Sequence, residues 1–402
     1  MGITTLTVVK RRCCKMKKLA IIGAAYYQRP LYNKAKEMGL YVIGFAWADG
    51  AVCRDMPDKF YEISVTEKER ILEVCRQEQI DGICTIASDV AAPTVAYVAE
   101  QMGLVGNSYE CSLRANNKFL MRQAFSKADV PCPQYWCIND HSDIRHQTSD
   151  IKHQTFPLIV KPTDRSGSLG VMKVEKAEDL LPAIKAAQEY SFMHEAMVEQ
   201  FIEGREISVE FISYNGVHYP LQITDKVTTE APHFVELEHH QPADLTAAQY
   251  KEIYSITNRA LTALGITNGA SHSEFRITKD GKIYVMEIGA RMGGDFIGAA
   301  LVKLSTGYDF VKGVIEVALG EFSEPVFGEQ KHSGVLYVSE ETKHLMPILE
   351  HWRNYPELIT GEITRPGLRS ISCSADRTGY VVYQADHRLD ASYFETYRKG
   401  EN

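Results

Sequence analysis

The sequence predicts a multidomain protein of α/β and α+β character that opens with a parallel α/β domain. Three observations carry this expectation. The chain has 402 residues, room for two to four domains at roughly 100–200 residues each. Between residues 18 and 102 short apolar runs alternate with amphipathic helices, the pattern of an open parallel sheet with right-handed crossovers. After residue 155 closely spaced strand patterns dominate instead, which marks a change of architecture.

Taken in order, residues 19–22 read as a short buried strand stopping at Gly23, and 30–38 as a helix ended by Gly39, a usual C-terminal glycine. Strands follow at 41–46 and 59–63. Residues 66–78 are an amphipathic helix, with Ile71, Val74 and Cys75 on one face. A strand at 82–86 and a helix at 91–102 complete the first domain. A helix at 116–127 ends before Pro131 and Pro133, and the polar stretch 141–154 reads as a linker. Strands at 157–161 and 171–174 flank a glycine- and serine-containing loop at 163–170, and a helix covers 177–188. Strands are expected at 196–200, 206–213 and 217–222, then a substrate-side loop at 224–242. A helix at 250–264 precedes strands at 269–277 and 282–288 and a helical region at 308–319. The tail from 330 is mixed, with strand-like 334–338 and 380–383. The expected divisions are an extension at 1–15, an α/β domain at 16–115, a central domain at 116–330 and a small C-terminal domain at 331–402.

Composition excludes several classes. Lys and Arg number 44 against 52 Asp and Glu, a net charge of −8, unlike the strongly basic domain of a general nucleic-acid binder. No apolar run is long enough to span a membrane. The first fifteen residues place Lys10, Arg11 and Arg12 after the apolar stretch, the reverse of a signal peptide. Nine irregularly spaced cysteines without a CxxC pair argue against a disulfide framework or zinc site and for a reducing cytoplasm. The turn after the first strand, Gly23-Ala24-Ala25, is not a dinucleotide fingerprint, so a nicotinamide oxidoreductase is disfavoured.

Three constellations carry chemistry. Glu274 (in SHSEFRI) and Glu287 (in YVMEIGARMGGD) lie in two apolar strands joined by a TKDG turn. Neighbouring strands can bring both carboxylates together, and oxygen ligands suit Mg²⁺. Arg276 shares the face of Glu274 at two-residue spacing, as does His272, and Arg291 follows in a loop; guanidinium groups hold phosphate or carboxylate bidentately. Second, Lys161 ends a strand before Ser166-Gly167-Ser168-Leu169-Gly170, where an ammonium and backbone N–H groups can surround phosphates. Lys118, on the preceding helix, offers another cation. Third, Glu199-Gln200-Phe201-Ile202-Glu203-Gly204-Arg205-Glu206 joins two strands; its backbone can meet an adenine edge and Glu206 ribose hydroxyls. Singly, each has a plain alternative: exposed cross-strand charges, an ordinary turn, a hairpin. Lys226 lies where a further phosphate- or substrate-directed cation could sit. The histidines at 233, 239 and 240 lack metal-site spacing.

The order of these motifs resembles the ATP-grasp superfamily of carboxylate–amine and carboxylate–thiol ligases, over about residues 16–330. The wording HSEF and EIGARMGGD is most similar to the branch of bacterial L-amino-acid ligases and carbamoyl-phosphate-synthase-like proteins. The resemblance implies an ATP-grasp fold with a lid at about 130–200 and ATP with Mg²⁺ (or Mn²⁺) as cofactors. It implies Lys118 and Lys161 on the phosphates, Ser166, Gly167, Ser168 and Gly170 in a loop over them, and Glu199, Gln200, Phe201 and Ile202 at adenine. Glu206 would meet ribose, Glu274 and Glu287 the metal, and Arg291, with Lys226 and Arg276, the transferred phosphate or substrate. The implied reaction joins a small carboxylate and an amine through an acyl phosphate, amino acids being one candidate pair. Carbamate or bicarbonate phosphorylation, and nucleotide binding without turnover, are the alternatives. Nucleic-acid and membrane partners are not implied, and a homodimer is common in the family. One departure stands out: the family often has Asn two residues after the second glutamate, and here it is Gly289, which leaves Asp295 as a candidate replacement ligand.

Overall fold

In a computed structural model of the chain, residues 16–139, 151–165, 167, 169–229 and 235–398 are described. The first sheet contains β1 (Lys18–Ile22), β2 (Tyr41–Ala46), β3 (Lys59–Glu62) and β4 (Gly82–Cys84), ordered β3-β2-β1-β4. All its pairings are parallel, as the alternation with helices α1 (Arg29–Glu37), α2 (Lys68–Glu78) and α3 (Ala92–Met102) requires. Strands β1, β2 and β4 are buried almost throughout, so they read as continuous apolar runs, whereas β3 at the edge is exposed or half-buried. Two helices follow, α4 (Tyr109–Asn116) and α5 (Lys118–Lys127). The sequence pattern showed only the second. Asn117 separates them, and its side chain caps α5 by accepting from the Phe119 and Leu120 amides.

The second sheet is a small antiparallel layer of β5 (Tyr135–Ile138), β6 (Leu158–Pro162), β7 (Met172–Val174) and β8 (Ala196–Gln200), backed by α6 (Ala177–Tyr190). The third has eight strands: β9 (Arg205–Tyr214), β10 (Val217–Thr228), β11 (Glu236–Gln241), β12 (Gly269–Ile277), β13 (Ile283–Gly289), β14 (His332–Val338), β15 (Leu358–Ile363) and β16 (Gly379–Ala385). Their order is β13-β12-β9-β10-β11-β14-β16-β15. The strands after residue 330 therefore continue the central sheet. Helix α7 (Ala247–Leu264) covers one face of β9, β12 and β13, burying Ile253, Ile256, Leu261 and Leu264 against Val209, Phe275 and Val285. Burial of such side chains contributes about 1.5–3 kcal/mol each.

One expectation is corrected and one plain alternative is excluded. Residues 224–242 are not one loop: β10 runs on to Thr228, and β11 pairs with it through Lys226↔His239 and Asp225↔His240. Charged and polar side chains on this strand pair replace the apolar alternation that would have marked it. His233 lies outside the described residues. Residues 198–206 are not a hairpin, because β8 and β9 belong to different sheets. The link crosses close over β12, and a Cβ on Gly204 would stand 2.3 Å from the Ile277 carbonyl oxygen. The first and third sheets share a core in which Leu19, Ile21 and Val42 join Ile212, Ala270 and Val314, and this sets the loop after β4 against the end of β13.

Candidate active site

One face of the third sheet carries the charged residues. On β12, His272, Glu274 and Arg276 alternate onto it and stand opposite Glu210, Ser208 and Glu206 of β9. Glu274 is also paired in register with Glu287 of β13, beside a β-bulge. The two carboxylates are thus neighbours, each about one-third exposed, and both line a cavity of about 270 Å³. Lys118 Nζ binds Glu287 Oε1 at 2.9 Å and the Arg165 carbonyl at 2.7 Å. Lys226 Nζ joins Glu206 Oε1 (2.7 Å) to Glu274 Oε1 (2.9 Å), with Glu236 at 3.6 Å. Burial opposes its charge, but these carboxylates hold its pKa well above the ordinary lysine value. In return Lys226 holds the Glu274 carboxyl well below the usual range, against burial. Glu274 is therefore anionic at neutral pH.

The second sheet faces this surface across the same cavity. Lys161, at the end of β6, is buried and paired with Glu199 Oε2 at 2.6 Å. Glu199 also takes Arg122 Nε of α5 at 2.7 Å. Burial lowers the Lys161 pKa and the Glu199 carboxylate opposes that fall. The Glu199 side chain is consequently an anchor for two cations. Phe201 lines the cavity, with Lys173 Nζ 4.7 Å from its ring centroid. Arg276 donates to the Ile202 carbonyl (3.3 Å) and to Glu206 (3.1 Å). Gly167 lines the cavity and Gly170 lies one residue before Val171, which does too. Ser166 and Ser168 lie outside the described residues.

Arg291 reaches the cavity with a partner the motifs do not reveal. Asp89, in the loop after β4, takes Arg291 Nε at 2.7 Å and Nη2 at 2.8 Å, a bidentate fork. Burial works against both charges, yet the pair keeps the Asp89 carboxyl below its usual range and raises the arginine. Gly289 makes room for it. A Cβ there would stand 2.8 Å from Asp89 Oδ1 and 3.1 Å from Arg291 Nε. The space beside Gly289 is filled by the Asp89 carboxylate and the Arg291 guanidinium. Asp295, the candidate replacement ligand, is instead tied to Arg377 at 2.8 Å and lies 3.9 Å from buried His239; it does not line this cavity.

Sequence reasoning missed Asp89, Arg122 and Glu210; Glu236 was seen only as one of the residues crowding an expected substrate-side loop, not as a partner of Lys226. Glu210 is fully buried, accepts from the Gly293 amide at 3.0 Å and pairs with His272. Burial opposes the histidine's charge, but Glu210 pushes its pKa up to about 9, so an imidazolium sits beside Glu274. An acidic residue inside the apolar strand that also holds Glu206 was the one available signal. Among the described residues no group of three or more His, Cys, Asp or Glu is arranged to hold a metal alone. A carboxylate pair at a polyphosphate-sized cavity fits Mg²⁺, which keeps waters and shares phosphate oxygens.

A cavity between a small antiparallel layer and a large sheet carrying two paired glutamates is the arrangement of an ATP-grasp fold. Residues 154–299 match the ATP-grasp domain family. Alanine–anticapsin ligase of Bacillus subtilis is 29% identical over 248 residues, 56% of this chain and 51% of that protein. D-alanine–D-alanine ligase of Pseudomonas fluorescens is 26% identical over 223 residues, 53% and 65% of the two chains. The chain thus spans about half the length of the first of these relatives. In three dimensions, L-amino acid ligase from Bacillus licheniformis superposes with a TM-score of 0.77 at 24% identity, over 96% of this chain and 97% of that one. N5-carboxyaminoimidazole synthetase from Staphylococcus aureus, complexed with ADP, superposes at 0.76 and 15% identity over 96% of each chain. These likenesses establish the fold. Among the described residues no helix is long and apolar enough to cross a membrane, and the seven described cysteines are free.

Proposed function

We propose that the chain is an ATP-dependent carboxylate–amine ligase that works through an acyl phosphate and releases ADP and phosphate. The observation that carries this reading is the convergence of Glu274, Glu287, Lys118, Lys161 and Arg291 on one cavity. No nucleophilic side chain is needed. The substrate carboxylate oxygen attacks the γ-phosphorus of ATP, and ADP leaves with the electron pair of the broken P–O bond. The amine nitrogen then attacks the acyl carbon, phosphate leaves, and the nitrogen loses a proton.

The residues' work is positioning and charge balance. Glu274 and Glu287 would hold Mg²⁺, which when bound offsets polyphosphate charge. Lys118 and Lys161 would meet phosphate oxygens; both are already held in place by Glu287 and Glu199. The Gln200–Ile202 backbone and Phe201 would take adenine, and Glu206 the ribose. Arg291, steered by Asp89, would hold the substrate carboxylate as it is phosphorylated. The small antiparallel layer would close over ATP and exclude water from the intermediate. The likeness to ligases that join amino acids supports amino acids as the substrates.

The test is an ADP-release screen with pooled small carboxylates and amines. Release that needs both an acid and an amine supports the proposal. Release with bicarbonate or carbamate alone would favour the carbamoyl-phosphate-like branch, and binding of ATP without release under any pool would overturn the ligase reading.

A further inference from the structure

The loops that carry Asp89 and Arg291 also border a second cavity. Ala87 and Gly293–Gly294 line it, two residues from Asp89 and from Arg291 respectively, and the Ala87 amide donates to the Met292 carbonyl at 3.1 Å. This cavity, of about 220 Å³, is bounded by Tyr26, Tyr27, Phe296 and Arg29. The three rings meet edge to face, with Tyr26–Tyr27 centroids at 5.6 Å and Tyr27–Phe296 at 5.9 Å. They are only partly buried, so they form a wall and not a closed core.

The wall is held rigidly. Tyr26 Oη lies 2.6 Å from Tyr380 Oη and donates to Glu362 at 2.6 Å. Asp295, next to Phe296, is fixed by Arg377 at 2.8 Å. Ala87, Asp295 and Phe296 all adopt left-handed backbone angles (φ 53°, 48° and 66°) without being glycine. Such conformations persist where surrounding structure imposes them, and they cluster at ligand sites. Arg29 adds a cation. Its guanidinium lies 4.8 Å from the Tyr26 ring centroid; Arg29 is exposed, and among the described residues it makes no ion pair. An aromatic wall with one uncompensated cation suits a small molecule that has a bulky apolar group and a carboxylate.

We infer that this cavity binds the amine substrate, and that this substrate is an amino acid with an aromatic or large apolar side chain whose carboxylate meets Arg29. The inference rests on the ligase reading. Arg291 belongs to the ATP cavity and serves the carboxylate that is phosphorylated. The amine partner keeps its own carboxylate unreacted, and that charge needs a second cation. Arg29 is placed to supply it across the shared loops, and the ring wall takes the side chain.

The experiment measures ADP release with a fixed acid pool and single amines: phenylalanine, tyrosine and leucine against glycine, alanine and glutamate, with phenylalanine amide as the carboxylate-free control. The expected kcat/KM for phenylalanine exceeds that for alanine by about ten-fold or more. Arg29→Ala should raise the KM for phenylalanine and abolish the preference for phenylalanine over its amide, with ADP affinity unchanged. Phe296→Ala should lower the phenylalanine-to-alanine ratio. A preference for glycine, alanine or glutamate, or an unchanged acid-to-amide preference in Arg29→Ala, would overturn the inference. Calorimetry with phenylalanine and Mg²⁺–ADP separates the two readings. If no amine elicits ADP release but phenylalanine binds wild type and not Arg29→Ala, the site stands and the ligase reading falls. Absence of phenylalanine binding overturns the site.

Discussion

Gly289→Ala tests how Arg291, the arginine proposed to hold the substrate carboxylate, is held. The added Cβ would stand 2.8 Å from Asp89 Oδ1, 3.1 Å from Arg291 Nε and 3.2 Å from Arg291 Cζ. Carbon–oxygen contacts are otherwise closest at about 3.3–3.6 Å, so the fork must retreat by roughly half an ångström or more. Both partners are ends of flexible side chains, so the backbone of β13 can stay while the guanidinium turns away. Its two bonds, 2.7 and 2.8 Å, cannot both survive that displacement. A misplacement near 1 Å at a reacting centre can cost about 100-fold, and loss of one charge-stabilising donor costs about 100- to 1,000-fold in kcat. The expected result is a fall of about 100-fold in the rate of ADP release at saturating ATP. The ADP dissociation constant, read by calorimetry, should stay within about two-fold, far below a 1.4 kcal/mol change. Asp89→Ala should mimic it, and the double variant should be no worse than either single one, because both act on one fork. Wild-type kcat in Gly289→Ala, or fully additive losses in the double variant, would refute this reasoning.

Three further outcomes are expected. Glu199→Gln leaves Arg122 and Lys161 buried around a neutral amide, so urea melts should show a loss of about 3–5 kcal/mol; a loss under about 1 kcal/mol would mean that the pair is dispensable. Glu287→Gln should reduce ADP release by about 100-fold or more and remove the Mg²⁺ dependence of ADP affinity; retained Mg²⁺ dependence would point to a different metal site. Glu78, bonded to Lys59 at 2.5 Å and Tyr61 at 2.6 Å, has its carboxyl pulled down to about 2 by these groups. A depressed acid contributes stability that is present above the ordinary glutamate range and lost as pH falls toward 2. Glu78→Gln should therefore melt lower than wild type at pH 7, with the gap closing below pH 4 in a thermal scan; a gap independent of pH would contradict the assignment.

The first sheet was legible because β1, β2 and β4 are buried and its helices have clear apolar stripes; 41–46 coincides with β2. The paired glutamates were legible too, since a short turn forces β12 and β13 to be neighbours. What escaped has a common cause. Strand β11 pairs with β10 through residues that face ions and not the core, so Lys226 and His239 broke the alternation. Asp89 is 202 residues from Arg291, and no local pattern announces a contact set by the docking of two sheets. Glu199 looked like an adenine contact because motif spacing fixes the backbone path, whereas its carboxylate answers to Arg122 and Lys161. Gly289 looked like a missing ligand until the neighbour occupying its space was known.

The measurement closest to the central claim follows oxygen from the acid substrate. With a carboxylate labelled with ¹⁸O on both oxygens, an acyl-phosphate route transfers one labelled oxygen to inorganic phosphate in each turnover, in step with ADP release. Mass spectrometry of the phosphate should show one ¹⁸O per phosphate released. Phosphate carrying only solvent oxygen while the amide product forms would contradict the account.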